Sequence, residues 1–401
     1  MAALAPGKLH AEPWAAEITG VAIDSRRIEE GDLFVAVGSG AEFAKHALAR
    51  GAAATLVPED AHAALAALAG AVRERSQARV VGITGSMGKT TTKDILAAIC
   101  APQAPTVAAE RSFNNELGVP LTLCRLEPDT ELCILELAMR GFGQIAALSA
   151  FARPDVAVIT TIAPVHLEKV GSLEGVVRAK SELLAALPPG GLAVVPADFA
   201  VERDDLEVVR VGKDVRLESF EPPVLRTSLG SFEVDFTARH LAANALTALA
   251  TAQALGLALP ERLEVTFAEW RNQELELPGG GLLINDAWNA NPISIRAALE
   301  HLSERAAGRR RVAVLGEMAE LGSYSDEAHR EVARAVDEVG VELLVAVGPR
   351  ARVYGGRWVA DADEAATVLR EELRPSDCVL VKGARALGLE RVAEELTVVA
   401  T

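Results

Sequence analysis

Cysteine is scarce in this 401-residue chain: Cys100, Cys124, Cys133 and Cys378 are all there are, and no two form a Cys-x-x-Cys pair. Zinc and dithiol motifs are therefore unsupported. Cys133 and Cys378 lie inside apolar strand-like runs and read as small core residues, which suits a reducing, cytoplasmic compartment. Aromatics are only 4% of the chain, so the core has to be built from Ala, Leu and Val. Such cores favour helices and buried parallel strands over sandwiches. Basic runs are also missing. The net charge is −16, and the densest cluster, Arg309-Arg310-Arg311, reads as solvated charge at a strand entry, so no nucleic-acid partner is expected. The first residues, Met1 to Gly7, lack the basic start and apolar core of a signal peptide. The most apolar long stretch, Leu241 to Leu259, contains Asn244, Thr247, Thr251 and Gln253, three of them on one helical stripe (244, 247, 251). It reads as a buried amphipathic helix, not a membrane span.

What is present describes a globular α/β protein. Half the residues are apolar and 24% are charged. At roughly 100–200 residues per domain, two to four domains are expected. Residues 1–77 hold short strand-like pieces, Gly20 to Ile23 and Asp32 to Val37, with Ala-rich helices. Residues 78–277 open on the strand Val80 to Ile83; further strands are expected at Leu132–Leu137, Val156–Ile162 and Leu192–Val195. Helical patterns lie between them, the signature of a parallel sheet. Pro278-Gly279-Gly280-Gly281 marks a break. Residues 278–401 repeat strand then helix, with strands ending at Asp286, Glu317, Gly348 and Gly383. This predicts a second, Rossmann-like sheet, but without Gly-x-Gly-x-x-Gly after its first strand a dinucleotide is not suggested.

The strongest motif is Thr84-Gly85-Ser86-Met87-Gly88-Lys89-Thr90-Thr91, after a strand and opening a helix. The backbone N–H groups of such a loop cradle phosphates, Lys89 can reach the terminal ones, and the Thr90 hydroxyl suits Mg²⁺. Glu136 lies near the end of an apolar strand, where a carboxylate needs a cationic partner or a metal; a structural salt bridge and a Mg²⁺ ligand both fit. His166 closes another strand and turn; a lone histidine is more often structural, but this one shares its strand-end position with Glu136 and the phosphate loop. Lys180 occupies the apolar face of a helix with Leu173, Val176, Val177, Leu183, Leu184 and Leu187. It either snorkels or is held near other charged groups for a reason. Asp286, in Asn285-Asp286-Ala287-Trp288-Asn289-Ala290-Asn291-Pro292, belongs to a polar turn or holds a ribose or an amine.

Together these segments resemble the Mur ligase family over nearly the whole chain. The landmarks are Asp24-Ser25-Arg26, Gly31 to Val35, the phosphate loop, Phe113-Asn114-Asn115-Glu116, Gly118-Val119-Pro120, Glu136 to Gly141, Pro164 to Glu168, Arg178-Ala179-Lys180, Asp286 to Pro292, Gly316 to Gly322 and Lys382 to Arg385. The Asn-Ala-Asn-Pro and Gly-Glu-Met-Ala-Glu-Leu-Gly segments resemble the member that joins D-alanyl-D-alanine to UDP-N-acetylmuramoyl-tripeptide in peptidoglycan precursor synthesis. The resemblance implies three domains: 1–77 for the UDP-sugar, 78–277 for ATP and a C-terminal Rossmann-like ligase domain at 278–401. It also implies an ADP-forming monomer that activates a carboxylate as an acyl phosphate. Gly85, Ser86, Met87, Gly88, Lys89, Thr90 and Thr91, with Asn244 at the adenine and Arg271 and Asp286 at the domain junction, would bind ATP. Thr90, Glu136 and His166 would hold two Mg²⁺ ions, the second supported by Lys180 as a carbamate. Ser25 and Arg26 would touch the UDP end, and Asn114, Asn115, Asn289 and Asn291 the substrate side.

This chain departs from the family pattern at several places. Met87 replaces a usual Asn, Ala287 a Ser or Thr, and Glu269-Trp270-Arg271 a Pro-Gly-Arg, while Gly38 to His46 is shortened. Rival readings are a sister ligase adding a single amino acid, a folylpolyglutamate synthetase-like ligase, a P-loop kinase or GTPase, and a non-catalytic binding protein of the same fold.

Overall fold

The computed structural model describes residues 5–14, 17–165 and 167–398. Four sheets organise it. The first has the spatial order Gly7–Ala11, Ala54–Pro58, Asp32–Val35, Gly20–Ala22; its first strand is antiparallel and the rest are parallel. The central sheet is parallel throughout, in the order Glu207–Val211, Leu192–Pro196, Val156–Ile159, Arg79–Thr84, Leu132–Glu136, Thr106–Ala108. Its first strand in sequence, Arg79–Thr84, sits in the middle, so the chain leaves it to one side and later returns on the other. That reversal opens a crevice at the carboxyl ends of the three middle strands. Phosphate loop, Glu136 and the segment after Ile159 all emerge there.

The third sheet was not anticipated from sequence. Strands Leu217–Glu221, Val224–Thr227, Gly230–Val234 and Arg262–Leu263 form a small, mainly antiparallel layer within the central region. Phe220, Leu225, Phe232 and Val234 bury its inner face in one core with the helices Lys89–Cys100 and Arg239–Ala254. The last of these is the apolar helix expected near Leu241, and Asn244, Thr247 and Thr251 are all buried on it.

The C-terminal sheet runs Gln273–Leu277, Gly281–Asn285, Cys378–Lys382, Arg311–Gly316, Leu343–Val347, Arg357–Val359. The strand Gln273–Leu277 pairs antiparallel with Gly281–Asn285, register Leu277 opposite Gly281. The Pro278-Gly279-Gly280 segment is thus a hairpin turn inside this sheet and not a break between domains. Gly279 and Gly280, at φ 86° and 88°, supply the left-handed backbone that such a turn requires. The C-terminal unit therefore begins before the expected residue 278.

At the other boundary the N-terminal sheet and the central sheet share a core. Leu33, Val35 and Leu56 belong to the same buried cluster as Val80, Leu135 and Val119, bridged by Leu65, Leu68 and Ala69 of the helix Ala61–Arg75. Asp60 caps that helix, accepting from the His62 and Ala63 amides. The Arg309-Arg310-Arg311 cluster differs from its reading as solvated charge. Arg310 is drawn in by Asp377, 2.7 Å away and itself 1% exposed in its side chain, and also donates to the Glu372 carbonyl. All four cysteines are free and buried, and burial pushes the thiols of Cys100, Cys124 and Cys133 up to about 12.

Candidate active site

The strand Arg79–Thr84 delivers the chain into the phosphate loop, and the helix Lys89–Cys100 starts at its far end. Two glycines make the turn possible. Gly88 has φ 77°, and a Cβ there would lie 2.3 Å from the Asn244 side-chain oxygen; at Gly85 a Cβ would lie 1.9 Å from the Thr160 hydroxyl. No side chain caps the helix, so its first amides remain available to an anion. The loop is fastened from behind by the segment after Ile159. The Ser86 amide donates to the Thr161 carbonyl, and Ser86 Oγ exchanges bonds with the Ala163 carbonyl and amide. Thr160 and Thr161 hydroxyls donate to the Met87 carbonyl, and Thr161 Oγ1 accepts from its amide at 3.1 Å. Backbone groups hold position 87, which makes its Met side chain compatible with an intact loop.

Lys89 curls over the loop and donates to the Gly85 carbonyl at 2.8 Å. Burial holds its pKa below the usual ammonium range; Arg271 pushes the same way and Glu136 opposes. Glu136 is 1% exposed. Its two oxygens accept from the Thr90 hydroxyl and from the Asn114 amide nitrogen, each at 2.7 Å. Among the described residues no Lys or Arg forms an ion pair with it, so a structural salt bridge finds no partner there. A buried carboxylate with two neutral donors, beside a phosphate loop, retains a demand for a cation. Adjacent hydroxyl and carboxylate oxygens are also what Mg²⁺ takes as ligands, so Thr90 and Glu136 fit that ion. Among the described residues no three His, Cys, Asp or Glu side chains cluster to hold a metal. His166, expected to join them, lies outside the described residues.

Lys180 does not snorkel. The helix Leu173–Ala185, capped by Ser172, holds it at 2% exposure. Burial first, and then the charge of Lys89, drive its pKa well below the usual ammonium value. Asn244 sits against Gly88, because the helix Arg239–Ala254 packs on the phosphate-loop helix.

The C-terminal side of the crevice is built by the linker and two strand ends. Asp286 follows the strand Gly281–Asn285, and Lys382 ends the neighbouring Cys378–Lys382. Lys382 donates to Asp286 Oδ2 at 2.5 Å and to the Asn289 carbonyl at 2.9 Å, and the Asn272 amide donates to Asp286 Oδ1. Asp286 is therefore an ion-paired strand-end acid and not an isolated turn residue. Arg271 lies 5.5 Å from the Trp288 ring, between Trp270 and Asn272, both with positive φ (61° and 50°). Trp270 stacks on Trp288, centroids 6.0 Å apart, and Arg385 covers the Trp270 ring at 4.6 Å. The Gly316–Gly322 segment reaches the central domain: Glu320 pairs with Arg140, and Gly322 abuts Glu168.

Other expected contacts are committed elsewhere. Asn291 spends its side-chain oxygen capping the helix Pro292–Ala306 in a capping box with Ser294. Asn115 accepts from the Gly118 amide at the start of a short helix. Asn289 is exposed. Ser25 is buried against the His46 ring, while Arg26 lies on the surface, holding Asp24. Sequence reasoning missed Thr160, Thr161 and the role of Lys382; only Lys382, a charge ending an apolar strand, carried the kind of signal that marked Glu136.

Comparison with known proteins agrees with this arrangement. Residues 83–252 match the Mur ligase middle domain and 270–385 the Mur ligase glutamate ligase domain. The chain is 35% identical to the UDP-N-acetylmuramoyl-tripeptide–D-alanyl-D-alanine ligase of Mycobacterium tuberculosis, covering 94% of this chain and 92% of that one. It is 32% identical to the Escherichia coli protein of the same name, over 97% and 96%. Among solved structures, MurF from Acinetobacter baumannii superposes with a TM-score of 0.82 at 30% identity, covering 98% and 97%. MurF ligase from Thermotoga maritima, solved with ADP, gives 0.81 at 25% identity over 96% and 98%. With the phosphate loop, Glu136 and Lys180 on one wall of the crevice and Arg271, Asp286 and Lys382 on the other, the chain belongs to the Mur ligase family.

Proposed function

We propose that this protein is an ATP-dependent, ADP-forming amide ligase of peptidoglycan precursor synthesis. It joins D-alanyl-D-alanine to the terminal carboxylate of UDP-N-acetylmuramoyl-tripeptide through an acyl phosphate. The observation that carries the reading is end-to-end similarity to relatives bearing that name, combined with a phosphate loop facing ion-paired strand ends across a domain junction.

Each wall has its task. Amides of Gly85 to Thr90, with the dipole of the helix they open, bind the phosphates, and Lys89 places positive charge against them. Phosphoryl transfer is mainly positioning and charge neutralisation. Mg²⁺ at Thr90 and Glu136, with a second ion at His166 and a carbamylated Lys180, would supply the remaining positive charge. Arg271 from the linker and Asp286 from the C-terminal sheet complete the nucleotide site. The Gly316–Gly322 segment meets Arg140 and Glu168 across the domain junction, and closure there would keep water from the reactive acyl phosphate. Ser25 and Arg26 face the UDP end. Free buried thiols support a reducing cytoplasm as the compartment. Among the described residues no helix is long and apolar enough to cross a membrane.

The experiment is a product assay. Phosphate release should require ATP, UDP-N-acetylmuramoyl-tripeptide and D-alanyl-D-alanine together, and mass spectrometry should find the pentapeptide product. Equal turnover with single amino acids in place of the dipeptide would assign the chain to a sister ligase.

A further inference from the structure

The phosphate-loop helix carries a second lysine that the chemistry above does not use. Lys93 is 3% exposed. Its ammonium has three protons, and it has three partners: the carbonyls of Ala109 at 2.6 Å and Arg111 at 2.9 Å, and Asp94 Oδ1 at 2.7 Å. The other oxygen of Asp94 accepts from the amide of Ala268, in the linker that leads to the C-terminal domain. A buried ion pair adds little net stability over an apolar pair of the same shape. What this one adds is direction, because it fixes two backbone segments against one helix.

The clamped segment joins the N-terminal block, the central sheet and the linker. Glu110 leaves it towards the N-terminal block, where Arg27 lies 2.9 Å away, next to the Ser25-Arg26 pair of the substrate turn. Arg111, with its backbone in the left-handed region at φ 47°, leaves it towards the linker and meets Glu269 at 3.0 Å. Farther along, Asn114 donates to Glu136. The Arg27–Glu110 and Arg111–Glu269 pairs are exposed, where ion pairs contribute little to stability, so their content too is orientation.

We propose that Lys93, with Asp94, is a positioning pair that transmits occupancy of the UDP-substrate block to the linker, through Arg27–Glu110 on one side and Arg111–Glu269 and Ala268 on the other. The inference rests on the substrate reading given above. Lys93 contacts no reacting atom in this scheme; it acts by holding residues 109–114 in the register that lets one end report to the other.

The test is hydrogen exchange of the linker amides 266–272 in the full chain, with and without UDP-N-acetylmuramoyl-tripeptide and without ATP, beside a calorimetric titration of the same ligand. In the native chain the tripeptide should bind and slow linker exchange by about 2- to 30-fold. In Lys93→Met and Asp94→Asn it should still bind, while the slowing is lost. A lysine that only stabilised the fold would lower the melting temperature and leave the slowing intact, and that outcome overturns the proposal. If Lys93→Met does not fold, the surface variant Glu110→Ala decides in the same way. Binding without slowing in the native chain overturns the proposal and leaves the substrate reading standing; no binding at all overturns both.

Discussion

A lysine held at 2% exposure within reach of a second lysine's charge is costly to an unliganded protein. Replacing Lys180 with Met, of similar length, should raise the melting temperature, since a polar amine no longer has to be kept out of water. The same variant should lose ligase activity. The lowered pKa explains why the position is useful: only the neutral amine adds carbon dioxide, and burial with Lys89 nearby favours that form. Enriched bicarbonate should therefore give a carbamate carbon signal in the native protein that is missing from Lys180→Met. A short carboxylic acid should partly restore Lys180→Ala. An active Lys180→Ala enzyme with no carbamate signal in the native chain would end the idea. For Glu136 the expectation is different. Glu136→Gln keeps the shape and one acceptor oxygen for Asn114, and the Thr90 hydroxyl can turn to accept from the new amide nitrogen, so folding should survive while turnover falls by at least about 100-fold, the scale of a lost electrostatic contributor. Near-normal activity with a lower melting temperature would make the carboxylate structural. Both residues were legible because a charge that interrupts an apolar period is visible within one element. Thr160 and Thr161 were not, since loop threonines follow no period. Asn291 misled for a local reason: Asn before Pro at a helix start is also a capping signal.

Among elements, the linker departs from the family pattern at Glu269-Trp270-Arg271. Trp270 stands at φ 61°, a conformation that a glycine adopts freely, where the family usually has Pro-Gly-Arg. Its stack on Trp288 and the Arg385 guanidinium above it hold the residue there. Trp270→Gly should relieve about 1–3 kcal/mol of backbone strain and forfeit about 0.5–1.5 kcal/mol of aromatic stacking. Melting should therefore shift little, whereas the KM for ATP should rise as Arg271 loses its rigid neighbour. A large drop in melting temperature with unchanged KM would show the tryptophan to be a packing residue alone. The departure was legible in the sequence, but its compensation was not, because Trp288 and Arg385 come from other parts of the chain. Most inner strands of the three large sheets were read closely for the opposite reason, as apolar runs with turn residues at their ends, whereas Ala54–Pro58 and the edge strands Gly7–Ala11, Thr106–Ala108, Glu207–Val211, Gln273–Leu277 and Arg357–Val359 were not. The small sheet from Leu217 to Leu263 escaped because its strands alternate, are short and lie where helices and parallel strands were expected.

Over the whole molecule, stability should fall with acid starting just below pH 6.5. His240 is held neutral, its pKa lowered to about 4 chiefly by burial, and His329 is lowered too, again chiefly by burial. His329 accepts from the Met318 amide through Nε2, and its Nδ1–H faces the Ser325 carbonyl, which requires the neutral ring. Both folded-state values lie below the unfolded one, so between them the unfolded chain binds more protons and stability rises with pH. The contribution is full above about 6.5 and is lost on descending towards pH 4. His240 adds up to about 1.4 kcal/mol per pH unit in that window, and His329 acts with the same sign. Melting curves of His240→Asn with His329→Gln should show a shallower acid slope than the native chain; an equal slope would assign acid sensitivity to other groups.

The shared core between the first sheet and the central sheet bears on how such a protein can be rebuilt from its relatives. Leu33, Val35 and Leu56 share one buried cluster with Val80, Leu135 and Val119 through the helix Ala61–Arg75, so a graft with its seam near residue 77 would join two half-cores that had never been fitted to each other. A seam in 266–272 cuts a linker and leaves each body with its own buried interior. Natural exchange and deliberate chimeras should therefore inherit the first two domains as one cassette and trade the third freely.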